Sequence, residues 1–158
     1  MMPLAAYQTM ASAIPILCVD LLLRDGSGRY LLVKRNNEPL KGQWWVPGGR
    51  VFKGESLEQA AIRKAAEELS LSVSTLQPAG YHEYILSSGH HAVSFLLTGV
   101  VDAKSVILDS QSSEWGWFSE LPDGLDIRSF NAVNSSMEHI AECVRRNMDN
   151  REQRAFVP

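Results

Sequence analysis

The order of apolar and polar positions along the chain predicts alternating strands and helices. Short apolar runs bounded by turn residues indicate strands, and apolar residues recurring every three or four positions indicate helices. The predicted strands cover residues 14–23, 30–35, 72–75, 80–86, 92–101 and 115–118. The predicted helices cover an N-terminal arm at 3–13, a central segment at 57–69 and a last segment at 129–146. This mixture predicts an α/β fold in which helices cover both faces of a mixed sheet.

The size and charge of the chain limit the functions that it can have. With 158 residues and 45% hydrophobic positions, it is expected to form one domain, 1–158, with a mobile tail after residue 147. Its formal net charge of −3 provides no broad basic surface. Nucleic acid is therefore not an expected partner, and a polyanionic ligand would have to be bound by a few arginines.

The cysteines and the N-terminus bear on the cellular compartment. Cys18 and Cys143 have neither CxxC spacing nor a metal-binding pattern, and two lone thiols suit a reducing compartment. The N-terminus has no basic segment before an apolar run, and no apolar run reaches the roughly 18 residues of a membrane span. The expected location is the cytoplasm, without a membrane partner.

The segment 48–70 organises the rest of the chain. It begins with a glycine turn and continues into a helix for which Ser56 is the predicted N-cap, and Gln59 completes a capping box. Apolar residues recur every four positions along this helix, at Leu57, Ala61, Ala65 and Leu69. Such a stripe predicts that one face of the helix packs on the sheet.

Another face of the same helix is charged. Glu67 and Glu68, with Glu55 just before the helix, form a corner rich in carboxylate oxygens. Hard cations such as Mg²⁺ and Mn²⁺ favour these ligands and usually share them with substrate phosphates. The alternative is a solvated helix face on which Lys64 and Glu68 form an ordinary i,i+4 ion pair.

The spacing within this segment resembles the Nudix box, the signature of hydrolases that act on nucleoside diphosphates linked to another moiety. The matching positions are Gly49, Glu55 after five residues, Arg63 after seven more, then Glu67 and Glu68. The lead-in at 44–49, Trp-Trp-Val-Pro-Gly-Gly, is also similar to that family. The resemblance implies a Nudix-type α/β/α sandwich with a mixed β-sheet.

Two positions depart from the family pattern. Lys64 replaces the glutamate that usually follows the box arginine and often serves as the catalytic base. Ser70 replaces the closing glycine, and serine is a poorer left-handed helix stop than glycine. The ammonium of a lysine cannot ligate a metal ion and is a poor base at neutral pH unless it is desolvated, so a mechanism that needs the box base is disfavoured.

A longer set of residues is similar to the GDP-mannose mannosyl hydrolase branch of the family. The matching residues are Val19, Asp20, Leu32 to Arg35, Pro39, Gly42 and Trp44 to Val51. That branch also lacks the box glutamate after the arginine, and it breaks the sugar carbon–oxygen bond rather than a phosphoanhydride. The resemblance implies a nucleoside diphosphate sugar as the small-molecule substrate, GDP-mannose or GDP-glucose, and a homodimer.

The branch also implies roles for individual residues. Arg35 and Arg50 would bind the pyrophosphate and stabilise the charge of the leaving group, and Asp20 and His91 would face the sugar. One Mg²⁺ ion, for which Mn²⁺ can substitute, would be held by the Gly48 carbonyl, Glu67, Glu68 and Gln111 together with phosphate oxygens.

The general base is the least determined role. The branch carries a histidine directly after the ligand glutamine, and this chain has Ser112 after Gln111. Serine has no useful pKa for this task, and we take Glu114 as the catalytic candidate. Asp109, His90 and His91 are the other residues that could substitute.

Three functions follow from these residues. The first is a Mg²⁺-dependent hydrolase that releases free sugar and nucleoside diphosphate. The second is a Nudix pyrophosphohydrolase that releases a nucleoside monophosphate, which the intact Glu67–Glu68 pair favours. The third is a nucleotide-binding module without turnover, which the replacement of both base positions, at Lys64 and Ser112, favours.

Overall fold

The structure is a computed structural model, which describes residues 3–38, 40–85, 89–102, 104 and 106–119. The predicted helix at 129–146 and the predicted tail after 147 lie outside the described residues. Two helices are described, α1 (Leu4–Ala11) and α2 (Leu57–Leu69). The strands are β1 (Ile16–Arg24), β2 (Tyr30–Arg35), β3 (Trp44–Trp45), β4 (Gly48–Arg50), β5 (Gln77–Ile85), β6 (His91–Val100) and β7 (Ser112–Phe118).

The strands form one mixed sheet. Its main path runs β3-β2-β1-β6-β5, with β4 paired to β1 and β7 paired to β2. The central pair, β1 and β6, is parallel from Ile16–Ala92 to Arg24–Val100, and the other pairs are antiparallel. The short β4 lies against the first half of β1, where Asp20 faces Gly48 across the ladder.

The two faces of the sheet have separate cores. The α2 face contains alternate residues of β1 and the apolar stripe of α2: Val19, Leu21, Leu23, Ala61, Ala65 and Leu69. The opposite face contains Leu22, Leu32 and Leu96, with α1 packed nearby through Tyr7 and Ala11. The mixed sheet and its two helices confirm the predicted α/β/α sandwich. Within the described ranges, neither helix is long and apolar enough to span a membrane.

The ends of α2 follow from local sequence. The Ser56 side chain accepts a hydrogen bond from the Gln59 backbone N–H, and the Gln59 side chain accepts one from the Ser56 N–H. The predicted capping box is therefore confirmed. At the other end Ser70 adopts a left-handed conformation, with φ of 54°, where the family pattern has glycine.

One predicted strand is wrong. Residues 72–75 pair with none of the described strands and lie in the connection between α2 and β5. Val73 of this connection is buried in the core beside α2. The alternation of apolar and polar residues here reflects how the connection packs on the core, since no strand in the described part of the chain pairs with it.

Candidate functional site

The short strand β4 separates two groups of charged side chains. A Cβ atom at Gly48 would lie 2.4 Å from Asp20 Oδ1 and 2.4 Å from the Val19 carbonyl oxygen. A Cβ atom at Gly49 would lie 2.8 Å from Cε of Lys64. Only glycine permits so close an approach at both positions, so Asp20 lies against one side of β4 and Lys64 against the other.

The acidic corner on the α2 side is neutralised in part by Lys64. The Lys64 Nζ lies 2.6 Å from Glu68 Oε1 and 3.3 Å from Glu67 Oε2, and the Gly48 N–H donates to Glu68 Oε2 at 3.2 Å. The i,i+4 pair between Lys64 and Glu68 forms, but its side chains are only 8% and 9% exposed, so the alternative of a solvated face is wrong for this pair. Burial raises the pKa of the Glu68 carboxyl, and the Lys64 ammonium opposes that rise.

Arg63 fixes the loop that precedes α2. Its Nε and Nη2 donate to Glu55 at 2.6 and 2.9 Å, and Nη2 also donates to the Arg50 carbonyl at 2.9 Å. The Arg63 hydrogen bonds lower the pKa of Glu55 to about 2, helped by the Phe52 N–H. Both Glu55 oxygens are therefore engaged within the loop, so Glu55 serves the loop rather than the open side of the acidic corner.

The residue that completes the other side of β4 was not predicted from the sequence. His82 Nε2 lies 2.7 Å from Asp20 Oδ2, with the two side chains 1% and 8% exposed. The Trp45 ring lies 6.5 Å from the His82 ring. A buried aspartate requires a polar partner, and this requirement was the available signal. The sequence alone could not identify His82 as that partner, because this requires knowing that β5 lies next to β6, which pairs with β1.

Both arginines predicted to bind pyrophosphate lower the pKa of the same residue, His90. Arg50 ends β4, and its guanidinium carbon lies 4.4 Å from the centre of the Tyr7 ring of α1. Arg35 ends β2. Burial lowers the pKa of His90, and the positive charges of Arg50, His91 and Arg35 lower it further. Burial and these charges therefore disfavour the protonated form of the His90 imidazole.

The remaining predicted site residues have the following positions. His91 begins β6, and its Nε2 lies 2.6 Å from Glu83 Oε1 on a partly exposed surface. Glu114 of β7 forms a 2.8 Å ion pair with Lys34, the residue before Arg35. These positions leave the roles of His91 and Glu114 as proposals.

Gln111 contacts Asp109, whose backbone lies beside the end of α2. Its backbone N–H and its Nε2 both donate to the Asp109 carboxylate at 2.9 Å. The Asp109 N–H in turn donates to the Glu68 carbonyl at 3.3 Å. The structure thereby brings Gln111 and Asp109 to the Glu68 end of the acidic corner.

Comparison with known proteins defines the family. The sequence matches the NUDIX domain over residues 15–121 of the 158. The chain therefore belongs to the Nudix hydrolase family, as the spacing within 48–70 predicts.

Three relatives illustrate the similarity. Over 128 residues the chain is 34% identical to the low-salt glycan biosynthesis protein Agl8 of Haloferax volcanii, covering 75% of this chain and 80% of that protein. The crystal structure of a MutT protein from Methanosarcina mazei has a TM-score of 0.69 at 26% identity, covering 85% of this chain and 96% of that one. The NUDIX domain of Shewanella oneidensis NrtR, solved as a complex with ADP ribose, has a TM-score of 0.65 at 23% identity, covering 93% and 99%. At that identity the last likeness concerns the fold.

Nudix hydrolases generally use divalent metals such as Mg²⁺ or Mn²⁺. Among the described residues no group of three His, Cys, Asp or Glu gathers as a metal site. A carboxylate offers about four lone-pair positions, so Lys64 and the Gly48 N–H use only part of Glu68. Glu67 is 47% exposed and offers further oxygens. With the Gly48 carbonyl, this donor set fits one hard divalent ion that completes its coordination with phosphate and water.

Proposed function

We propose that the protein is a metal-dependent hydrolase of a nucleoside diphosphate sugar, GDP-mannose or GDP-glucose, which releases the free sugar and the nucleoside diphosphate. The observation that carries the proposal is the buried ion pair of Lys64 with Glu68. Because Lys64 occupies the box position of the usual base and its Nζ is engaged by Glu68 and Glu67, chemistry that depends on a base at that position is disfavoured. Attack at the sugar carbon, on the other side of the diphosphate, does not depend on it.

One relative supports a sugar-linked substrate. Agl8, which is 34% identical to this chain over 128 residues, is named for glycan biosynthesis. A small molecule of this kind carries a diphosphate for the two arginines and a sugar for the Asp20 side of β4.

The proposed reaction is a displacement at the anomeric carbon. A water oxygen forms a bond to that carbon, the bond from the carbon to the diphosphate oxygen breaks, and its electron pair stays on the nucleoside diphosphate. The water proton passes to a base. Arg35 and Arg50 bind the diphosphate and stabilise the negative charge that it gains. Asp20, held by His82, and His91 orient the sugar.

The metal ligands of the proposal are the Gly48 carbonyl, Glu67, Glu68 and Gln111. When bound, a divalent ion neutralises part of the charge that develops on the leaving diphosphate. Glu68→Gln should abolish the metal-dependent activity, and full activity in that variant would contradict the metal assignment.

We propose Glu114 as the base, with Asp109 and His90 as the residues to compare. Glu114 is more than half exposed beside Lys34, Asp109 lies at the Glu68 end of the site, and burial together with both arginines lowers the pKa of His90. Loss of a general base typically lowers the rate by about 10² to 10⁴-fold. The rates of three variants therefore distinguish the candidate bases: Glu114→Gln, Asp109→Asn and His90→Gln. An unchanged rate in Glu114→Gln would exclude Glu114 as the base.

Hydrolysis in ¹⁸O-labelled water tests the proposal. The protein is incubated with GDP-mannose or GDP-glucose and Mg²⁺, and the products are resolved by mass spectrometry. Cleavage of the carbon–oxygen bond gives GDP and places ¹⁸O in the sugar. Formation of GMP, with ¹⁸O in a phosphate, would instead support a Nudix pyrophosphohydrolase, which the exposed Glu67 carboxylate beside Glu68 favours.

Absence of turnover together with GDP-mannose binding would support a nucleotide-binding module. The replacement of both base positions by Lys64 and Ser112 favours that outcome. Calorimetry on the same samples measures the binding, so the assay distinguishes three functions.

The assembly and location are part of the proposal. We propose a cytoplasmic homodimer, on the basis of the branch resemblance and the N-terminal helix α1. Light scattering coupled to gel filtration measures the mass in solution, and fractionation of the source cells tests the compartment. A monomer at the concentration of the assay would contradict the dimer.

A further inference from the structure

We propose that Lys64 is a built-in counter-ion of the acidic corner, which keeps the affinity of the free protein for divalent ions low and makes ion binding depend on the diphosphate of the substrate. The inference rests on the proposed function for the identity of the diphosphate ligand. It assigns to Lys64 a role in the order in which ion and substrate bind.

The ammonium of Lys64 is fixed in position. Its stem fills the space that a side chain at residue 49 would occupy, with Cε, Cδ and Nζ at 2.8, 3.3 and 3.4 Å from the place of a Cβ atom. The Lys64 side chain is 8% exposed and reaches both Glu68 and Glu67. A lysine enclosed on both sides cannot leave the corner without losing these contacts and exposing the Glu68 carboxylate.

The charge of the corner follows from its residues. Glu55, Glu67 and Glu68 contribute three negative charges, and Arg63 and Lys64 contribute two positive ones, which leaves a formal charge of −1. With glutamate at position 64, as in the usual family pattern, the charge would be −3. Because the Coulomb energy scales with the product of the charges, the corner attracts a divalent ion far less than its three carboxylates suggest.

A bound diphosphate restores the missing negative charge. Its oxygens bring both charge and ligands to the open side of Glu67, which is 47% exposed. Divalent ions such as Mg²⁺ retain waters and readily share one or two carboxylates with phosphates. The ion and the diphosphate should therefore bind cooperatively, and each should raise the affinity for the other by the same factor.

Manganese titration followed by electron paramagnetic resonance tests the inference without any turnover. The wild-type protein, Lys64→Gln, Lys64→Arg and the control Lys53→Gln are titrated with Mn²⁺, alone and with GDP. Lys53 is an exposed lysine in the loop between β4 and α2, so its replacement removes the same charge outside the corner. Glutamine at position 64 keeps an N–H donor for Glu68 while removing the charge.

The expected result is an increase in Mn²⁺ affinity of roughly tenfold or more in Lys64→Gln without GDP. Lys53→Gln should change the affinity by about twofold or less because its charge is screened by solvent. Lys64→Arg should remain as weak as the wild type. In the wild type GDP should raise the affinity for Mn²⁺, and it should do so less in Lys64→Gln.

Two outcomes would overturn the inference. One is a Lys64→Gln protein with a native circular dichroism spectrum that binds Mn²⁺ no more tightly than the wild type. The other, which needs no variant, is a wild-type protein that binds Mn²⁺ equally well with and without GDP. If the hydrolysis assay fails, the GDP-free titrations still test Lys64, so the two failures are distinguishable.

Discussion

Asp20 and His82 form a buried pair, with Oδ2 and Nε2 separated by 2.7 Å across three strands of the sheet. A second pair, Glu83 and His91, has a similar distance of 2.6 Å but is 50% and 30% exposed. The two pairs have the same chemistry and opposite solvent exposure. They offer a direct measure of what burial adds to a carboxylate–imidazole contact in this protein.

We expect His82→Phe to lower the free energy of unfolding by about 3 kcal/mol, because it leaves a buried carboxyl without its partner. The matched variant His91→Phe removes an exposed pair and should cost less than about 1 kcal/mol. Urea unfolding at neutral pH measures both. Equal losses in the two variants would contradict the importance of burial.

The Arg63–Glu55 pair should make the free energy of unfolding depend on pH in the acidic range. The folded-state pKa of Glu55 is about 2 against an ordinary value of 4.5, so its contribution is fully present above about pH 4.5 and is lost as the pH falls toward about 2. Glu55→Gln should therefore be less stable than the wild type at pH 7, and the difference should shrink between pH 4.5 and pH 2. Urea unfolding across this range gives the measurement. A difference that is constant with pH would show that the ionised Glu55 contributes nothing.

Ser70→Gly should stabilise the protein. Ser70 has φ of 54°, which costs an L-residue about 1 to 2 kcal/mol and glycine almost nothing, while the unfolded chain gains some entropy. The expected net gain is about 0.5 to 1 kcal/mol in the free energy of unfolding. Ser72→Gly, at a position without positive φ, is the control and should give no gain. A melting temperature that falls in Ser70→Gly would contradict the strain at this position.

The Tyr7 ring should orient Arg50 for the diphosphate. A cation–π contact of this kind contributes about 0.5 to 1 kcal/mol at an exposed site, which corresponds to about a twofold to fivefold change in affinity. Tyr7→Leu should raise KM for the nucleotide sugar by that factor and leave kcat nearly unchanged. Tyr7→Phe keeps the ring and should behave like the wild type. A change in kcat alone would place Tyr7 outside this role.

The parts of the fold that could be predicted are those with local signals. The N-cap at Ser56, its partner Gln59 and the apolar stripe of α2 all lie within one segment, so the helix was predicted with its observed bounds. Strand β7 starts at Ser112, earlier than predicted, and its first residues pair with the polar end of β2. The prediction missed these residues because they are polar. Polar residues in a strand cannot be recognised without knowing the neighbouring strand.

In the candidate site, too, the features with local sequence signals could be predicted and those that depend on distant residues could not. The Gly48 N–H donates to Glu68, because α2 and β4 are joined by a short loop that Arg63 fixes, and the role of Gly48, Glu67 and Glu68 as metal ligands stays a prediction. The burial of Lys64 and the pairing of Asp20 with His82 could not be predicted. Both depend on which surfaces enclose a side chain, and residues distant in sequence supply those surfaces.

The absence of side chains at residues 48 and 49 has a consequence for how this protein can change over evolutionary time. One layer of peptide backbone separates the Lys64 ammonium from the Asp20 carboxyl group, so neither compartment can be enlarged without shifting the other. Under the proposed function, single substitutions that tune sugar preference on the Asp20 side would disturb cation affinity on the Lys64 side. New specificities should therefore arise through paired substitutions, one on each side of this strand.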